Sequence, residues 1–216
     1  MMKTNFLKSK VTPVIALLLC CILYLSGYFQ IILATLIVLL ASGIEYGKSI
    51  FTSLGFQRNK LKVKNLLIVA PLVSGALFML YSFVLIPSVT YLTGQPIDFS
   101  EFESFKGNLP AVLSLLILIW LSSGFGEEIL FRGYLMRQFA KFFGDGKISL
   151  VMNILLFGII FGSIHTYQGV TGQIVTGILG ILLAVIFYIR KYDLWFNIAV
   201  HGFFNTIALI FIYYGV

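Results

Sequence analysis

Glu127 and Glu128 stand side by side in a long apolar segment of the sequence. A charged side chain at the bilayer centre costs about 3 kcal/mol on insertion scales, so such residues usually face a bundle interior or a cavity. Arg132 follows Glu128 by four residues, a spacing that puts the two on one helical face as an ion pair. Glu127 points about 100° away on an α-helix. We therefore predict a supporting role for Glu128 and Arg132 and a chemical role for Glu127. The alternative places both glutamates at the cytoplasmic lipid interface beside Arg132.

The chain has 2 histidines, and both fall within apolar segments. Phe161 precedes His165 by four residues and Asn205 follows His201 by four, so each pair shares a helical face. These residues and Glu127 suit hydrolysis, because a desolvated carboxylate can act as general base and an imidazole can share the water. An asparagine and a second histidine can donate hydrogen bonds to a tetrahedral oxyanion. One glutamate and two histidines would also resemble a catalytic zinc site, although no His-Glu-x-x-His motif occurs.

The composition indicates the elements that must position these residues. The 216 residues are 59% hydrophobic and only 11% charged, whereas a soluble domain is about 25% charged. This excludes a soluble enzyme, a disordered protein and a nucleic-acid-binding domain. It predicts an all-α, polytopic transmembrane helix bundle of about seven spans. The predicted spans are roughly 11–27, 28–44, 65–92, 109–131, 148–165, 172–189 and 194–214.

The basic residues predict the orientation of the bundle. With the N-terminus in the cytoplasm, every Lys and Arg among the 15 except Lys106 falls in an inner segment, as the positive-inside rule requires. The net charge of +7 is therefore a topology signal, aided by attraction to anionic lipid, and does not indicate nucleic acid. We interpret residues 1–25 as an uncleaved first helix, because a second apolar stretch follows at once and no A-x-A-like cleavage site is present.

The predicted span limits create one geometric conflict. At about 1.5 Å per residue, Glu127 lies about 27 Å from the outer end of the fourth span, and therefore near the inner face. His165 lies at the far end of a span that starts inside, and therefore near the outer face. For the two to meet, the helices must tilt strongly, the fourth must break near 124–126, or the fifth must begin deeper than residue 148.

Three spaced motifs resemble those of a known family. In order along the chain they are Glu127-Glu128-x-x-x-Arg132, Phe161-x-x-x-His165 and His201-x-x-x-Asn205. Together they resemble the motifs of the CAAX-protease and bacteriocin-processing (CPBP, formerly Abi) intramembrane proteases. The resemblance covers about 109–206. It suggests a division into N-terminal transmembrane helices without family signal (1–108) and a catalytic helical core (109–216).

The resemblance implies a role for each motif residue. Glu127 would be the general base that activates water together with His165, and His201 and Asn205 would bind the oxyanion. The remaining motif residues would give structural support: Glu128 and Arg132 as an ion pair, and Phe161 by packing. It further implies a glutamate-type mechanism without metal or other cofactor, with zinc as the less favoured alternative.

The sequence thus predicts an endopeptidase in the membrane. It would hydrolyse a peptide bond of a membrane-associated peptide or protein, and the resemblance points to a bacterial cell membrane and to peptide maturation or bacteriocin immunity. Two alternatives stay open: a non-enzymatic membrane immunity or interaction protein that keeps the motifs as structure, and a bis-His haem- or metal-binding membrane protein. The oligomeric state is left open.

Overall fold

The computed structural model describes the backbone of residues 2–27 and 30–215, and the side chains of residues 10–27 and 30–215. Two of the cations that support the predicted orientation, Lys3 and Lys8, therefore lie outside the described side chains. The cytoplasmic position of the N-terminus stays a prediction.

All secondary structure in the described residues is helical. The α-helices are α1 (Met2–Leu25), α2 (Ile31–Tyr46), α3 (Ile50–Leu54), α4 (Ala70–Leu80), α5 (Ile86–Thr93), α6 (Leu109–Ile119), α7 (Met136–Phe143), α8 (Lys147–Ser163), α9 (Gly169–Ile189) and α10 (Leu194–Tyr214). π-Helical stretches occupy Asn65–Val69, Tyr81–Leu85 and Trp120–Leu135, and short 3-10 turns occupy Gly47–Ser49, Arg58–Lys60, Ser100–Phe105 and Thr166–Gln168.

Several of these elements join into continuous apolar helices. In the described part of the chain, 5 helices are long and apolar enough to cross a bilayer: Ile31–Lys60, Asn65–Thr93, Leu109–Phe143, Thr166–Ile189 and Leu194–Tyr214. Two shorter apolar helices, Lys10–Leu25 and Lys147–Ser163, accompany them. The predicted all-α membrane bundle is confirmed, and the chain is an integral membrane protein.

The fourth apolar helix differs from the prediction in its inner limit. It runs unbroken from Leu109 to Phe143 over 35 residues, whereas the predicted span ended at 131. Gly124 and Gly126 lie inside its π-helical part, so no break occurs there, and α8 begins close to its predicted start. The longer helix places Glu127 near its middle and removes the premise that this residue lies at an end.

Arg132 explains why the predicted limit was too short. Its charge suggested an inner loop, but the residue is only 1% exposed because its side chain forms a buried ion pair with Glu128. Neutralising a cation inside the bundle allows the helix to continue past it.

α10 is the helix around which the site is built. It packs against α4, α6, α9 and the π-helical stretch Trp120–Leu135. Its first turn is capped by Asp193, whose Oδ1 accepts a hydrogen bond from the Phe196 backbone N–H at 3.2 Å, which satisfies one of the free donors at a helix start.

α8 and α9 approach each other closely where α8 carries glycines four residues apart. A Cβ at Gly162 would lie 2.3 Å from the Gln173 carbonyl oxygen and 2.9 Å from the Gly177 Cα, and one at Gly158 would lie 3.2 Å from the Gly177 carbonyl oxygen. Small residues of this kind let two membrane helices come into backbone contact. This contact fixes the end of α8, where His165 follows.

Candidate active site

One cavity of about 270 Å³ collects the predicted chemical residues. Glu127 reaches it from the π-helical stretch, His165 from the connection between α8 and α9, and His201 and Asn205 from α10. Phe161 also lines the cavity. The structure therefore brings together side chains from three separate helical segments, and the conflict in their predicted depths does not arise.

Glu127 carries a buried oxygen without a hydrogen-bond partner among the described residues. Glu127 is 7% exposed, and the oxygen concerned is its Oε2 atom. The Nε2 atom of His201 lies 4.0 Å from it. Leaving a buried acceptor unpaired is unfavourable by about 1–3 kcal/mol, so this oxygen is suited to receive a hydrogen bond from a bound molecule.

Glu128, in contrast, is fully engaged. Its Oε1 atom accepts hydrogen bonds from Arg132 Nη1 and from His201 Nδ1, each at 2.9 Å. Its Oε2 atom accepts from Asn197 Nδ2 at 3.2 Å. The predicted ion pair between Glu128 and Arg132 is present, and Glu128 in addition holds the ring of His201.

Arg132 is held on its other side by α8 and α9. Its Nη2 atom donates to the Gly180 carbonyl at 2.8 Å, and its guanidinium lies 4.8 Å from the centre of the Phe161 ring. Cation–π contact of this kind strengthens where water is excluded. The ion pair therefore ties the fourth helix to both neighbouring helices.

Phe161 positions His165 through its backbone as well as its ring. The Nδ1 atom of His165 lies 2.7 Å from the Phe161 carbonyl oxygen, and the two rings are 5.1 Å apart. A carbonyl can only accept, so Nδ1 of His165 is the protonated nitrogen. In the neutral ring, Nε2 is then left as an acceptor toward the cavity.

His201 lies between the two glutamates, with Nδ1 on Glu128 and Nε2 facing Glu127. A neutral ring that donates from Nδ1 would present an acceptor to Glu127, whereas an imidazolium presents a second N–H. With His201 protonated, the two carboxylates and two cations of this cluster sum to zero charge. An N–H on Nε2 would face the unpartnered oxygen of Glu127 and the cavity.

Asn205 lies one turn beyond His201 on α10 and also faces the cavity. Its side-chain amide forms no hydrogen bond with another residue in the described ranges, so both N–H groups are available to a bound molecule.

Asn197 is a site residue that the sequence analysis missed. It precedes His201 by four residues on α10 and is 0% exposed. It donates to Glu128 and also to the Leu183 carbonyl, the latter at 2.8 Å. The signal was available, because Asn197, His201 and Asn205 form one stripe of polar residues at helical spacing in an apolar span.

Among the other polar residues of the cavity that were missed are Tyr167, Gln168 and Thr176. They follow His165 in sequence or lie on the facing turn of α9. Spacing alone gave no reason to select them, because Tyr167 and Gln168 belong to a short connection between two helices.

Metal ligation is the competing role for these residues. Within the described part of the chain, no group of three or more His, Cys, Asp and Glu side chains could hold a metal ion. The Nδ1 atoms of both histidines are engaged by the protein. An engaged Nδ1 leaves Nε2 of each ring as the nitrogen that a metal could take, so a mechanism without metal stays a prediction.

Comparison with protein families gives one match. Residues 109–207 match the family model described as type II CAAX prenyl endopeptidase Rce1-like. The matched segment runs from α6 into α10 and contains all seven motif residues. No curated protein and no solved structure matches the chain. The family match confirms the resemblance to the CPBP proteases.

Proposed function

We propose that this chain, which carries a domain of the Rce1-like type II CAAX prenyl endopeptidase family, hydrolyses a peptide bond of a membrane-associated substrate by direct attack of water. Glu127 and His165 activate the water, and His201 and Asn205 stabilise the oxyanion. The observation that carries the proposal is the meeting of these four side chains at one cavity, with an unpartnered Glu127 oxygen among them.

In the proposed first step, Glu127 accepts one proton of a water molecule while the water oxygen bonds to the carbonyl carbon of the substrate. His165 orients the same water through Nε2. The proton held by Glu127 then passes to the leaving nitrogen as the carbon–nitrogen bond breaks. A positioned acid–base group of this kind contributes about 10²–10⁴-fold to rate.

The carbonyl oxygen becomes an oxyanion during the attack, and two donors are available to it. His201 supplies an N–H from Nε2 while Glu128 holds its Nδ1, and Asn205 supplies its amide N–H. Donors that are fixed before the reaction stabilise the developing charge without reorganisation. Glu128, Arg132 and Asn197 fix the histidine ring in this role.

The walls of the cavity indicate an apolar substrate. They include Leu77, Phe204, Leu209 and Ile212. The family description names a prenylated CAAX substrate, in which the cysteine of a C-terminal C-a-a-X sequence carries the lipid. We extend the proposal to such a peptide, to a bacterial cell membrane, and to a role in peptide maturation or bacteriocin immunity.

The experiment is a cleavage assay on purified protein in detergent micelles, with a quenched fluorescent peptide that ends in a prenylated C-a-a-X sequence. Glu127→Gln and His165→Ala should each lower kcat by about 100-fold or more. Asn205→Ala should lower it by a similar factor. Glu103→Gln, which changes an exposed glutamate, serves as the matched control and should keep full activity.

Melting temperatures of all variants verify that they fold. Retained cleavage in folded Glu127→Gln would overturn the proposal and favour the non-enzymatic alternative. A Soret band in the purified protein would instead favour the bis-His haem alternative, and metal bound in stoichiometric amount would favour the zinc alternative.

A further inference from the structure

A chain of directed hydrogen bonds lies beside the cavity and has no part in the mechanism above. Thr176 Oγ1 donates to Gln168 Oε1 at 2.8 Å, and Gln168 Nε2 donates to the Tyr167 hydroxyl oxygen at 3.1 Å. The Gln168 amide thus accepts from Thr176 through its oxygen and donates to Tyr167 through its nitrogen. The Tyr167 oxygen is an acceptor in this chain, so its own proton remains to be donated elsewhere.

The Tyr167 hydroxyl proton has no acceptor in the described ranges, and the side chain lines the cavity. Its ring lies 5.8 Å from the His165 ring and 6.3 Å from the Phe102 ring. The residue is 38% exposed, so a bound molecule can reach it. Tyr167 is therefore an oriented donor beside the proposed chemistry.

The backbone and side chain of Gln168 are firmly held. Its N–H donates to the His165 carbonyl and its carbonyl accepts from the Asp98 N–H, each at 3.1 Å. The side chain packs directly on Gly172, where an added Cβ would lie 2.2 Å from the Gln168 Cβ. The amide that orients Tyr167 is therefore fixed on both sides.

A peptide bound in this cavity needs donors for its carbonyl groups, because an unpaired carbonyl away from water is costly. Glu127, His165, His201 and Asn205 are assigned to the scissile bond. We propose that Tyr167 is a substrate-positioning residue whose hydroxyl donates to a carboxyl or backbone carbonyl oxygen of the bound peptide, with Gln168 orienting that hydroxyl. The inference rests on the proposed function.

The test measures KM and kcat for the same prenylated peptide. Tyr167→Phe should raise KM about 3- to 10-fold, the value of one neutral hydrogen bond, with kcat nearly unchanged. Tyr188→Phe, which changes a tyrosine away from the cavity on α9, should leave both constants unchanged.

Gln168→Glu provides an independent variant. A carboxylate only accepts, so it would take the Tyr167 proton for itself and remove the donor from the cavity. It should raise KM as much as Tyr167→Phe does, and the double variant should show no further rise. Gln168→Glu with wild-type KM would overturn the orienting role.

Two forms of the peptide distinguish the acceptors. If the C-terminal carboxylate is the partner, Tyr167→Phe should act strongly on the free acid, about 10-fold or more for a charged acceptor, and hardly on the C-terminal amide. If a backbone carbonyl is the partner, both forms should respond equally.

The inference and the proposed function fail in different ways. Cleavage that depends on Glu127 but keeps its KM in Tyr167→Phe would overturn the inference alone. Absence of cleavage by the wild-type chain, together with no binding of the peptide to Glu127→Gln, would overturn both.

Discussion

Replacing Arg132 with methionine should destabilise the fold far more than replacing an exposed cation. Methionine has a similar length and retains contact with the Phe161 ring, but it lacks the donors to Glu128 and to the Gly180 carbonyl. Both members of the ion pair have side chains at most 2% exposed, so the remaining carboxylate would lose its counter-charge without gaining water.

The size of the effect follows from this burial. Removing one partner of a buried ion pair lowers the free energy of unfolding by about 3–5 kcal/mol. For a chain of this length each kcal/mol corresponds to about 2–4 °C in Tm, so Arg132→Met should melt about 6–20 °C below the wild-type protein. Thermal unfolding in detergent micelles measures the difference, with Arg58→Met as the exposed control.

A double-variant cycle separates the lost ion pair from lost packing. Glu128→Gln removes the charge that Arg132→Met leaves unpaired, so the double variant should be more stable than the sum of the two single losses by about 0.5–3 kcal/mol. Additive losses, or a loss under about 1 kcal/mol for Arg132→Met, would refute the reasoning that a buried charge pair holds these helices together.

Two further predictions concern stability and use the same melting assay. Gly162→Ala should lower the free energy of unfolding by about 1–3 kcal/mol through overpacking against the Gln173 carbonyl. The control Gly43→Ala, whose Cβ would meet nothing within 4 Å, should be stabilising or neutral. Equal effects of the two variants would contradict the close packing of α8 on α9. Asp193→Ala should lose about 1 kcal/mol with the cap on the Phe196 N–H, while Asp193→Asn should stay within a few tenths; a wild-type melting temperature for Asp193→Ala would rule out a stabilising cap.

The sequence predicted the parts of the site that depend on local spacing. The i,i+4 rule placed Glu128 beside Arg132, and the bond between them is present. Scarcity helped as well, since few ionisable residues occur in the apolar segments and each one could be examined. The all-α bundle followed from the apolar content in the same way.

Contacts between distant segments could not be predicted by these rules. Glu127 and Glu128 were expected on different faces, with a local partner for Glu128 alone. Both carboxylates nevertheless face His201, because an imidazole carries nitrogens on two sides of its ring. The bond from Asn197 to Glu128 joins residues 69 positions apart. Local periodicity carries no information about which helices become neighbours.

The prediction of the inner end of the fourth helix was wrong for an energetic reason. A hydropathy pattern places the charged Arg132 outside the membrane. In the structure its charge is paired with Glu128 inside the bundle, and the helix continues to Phe143. A pattern of residue types cannot distinguish a free cation from one already paired inside the bundle.

The π-helical stretch Trp120–Leu135 makes this part of the chain sensitive to its length. Each π-helical ring closes through an i→i+5 bond and holds one residue more than an α-helical ring. If the helix kept its geometry after a single-residue deletion before Glu127, each following side chain would be displaced by one position, about 100° around the axis of an α-helix. Many substitutions in this stretch change one side chain, whereas loss of one codon would shift the whole set out of register with α10.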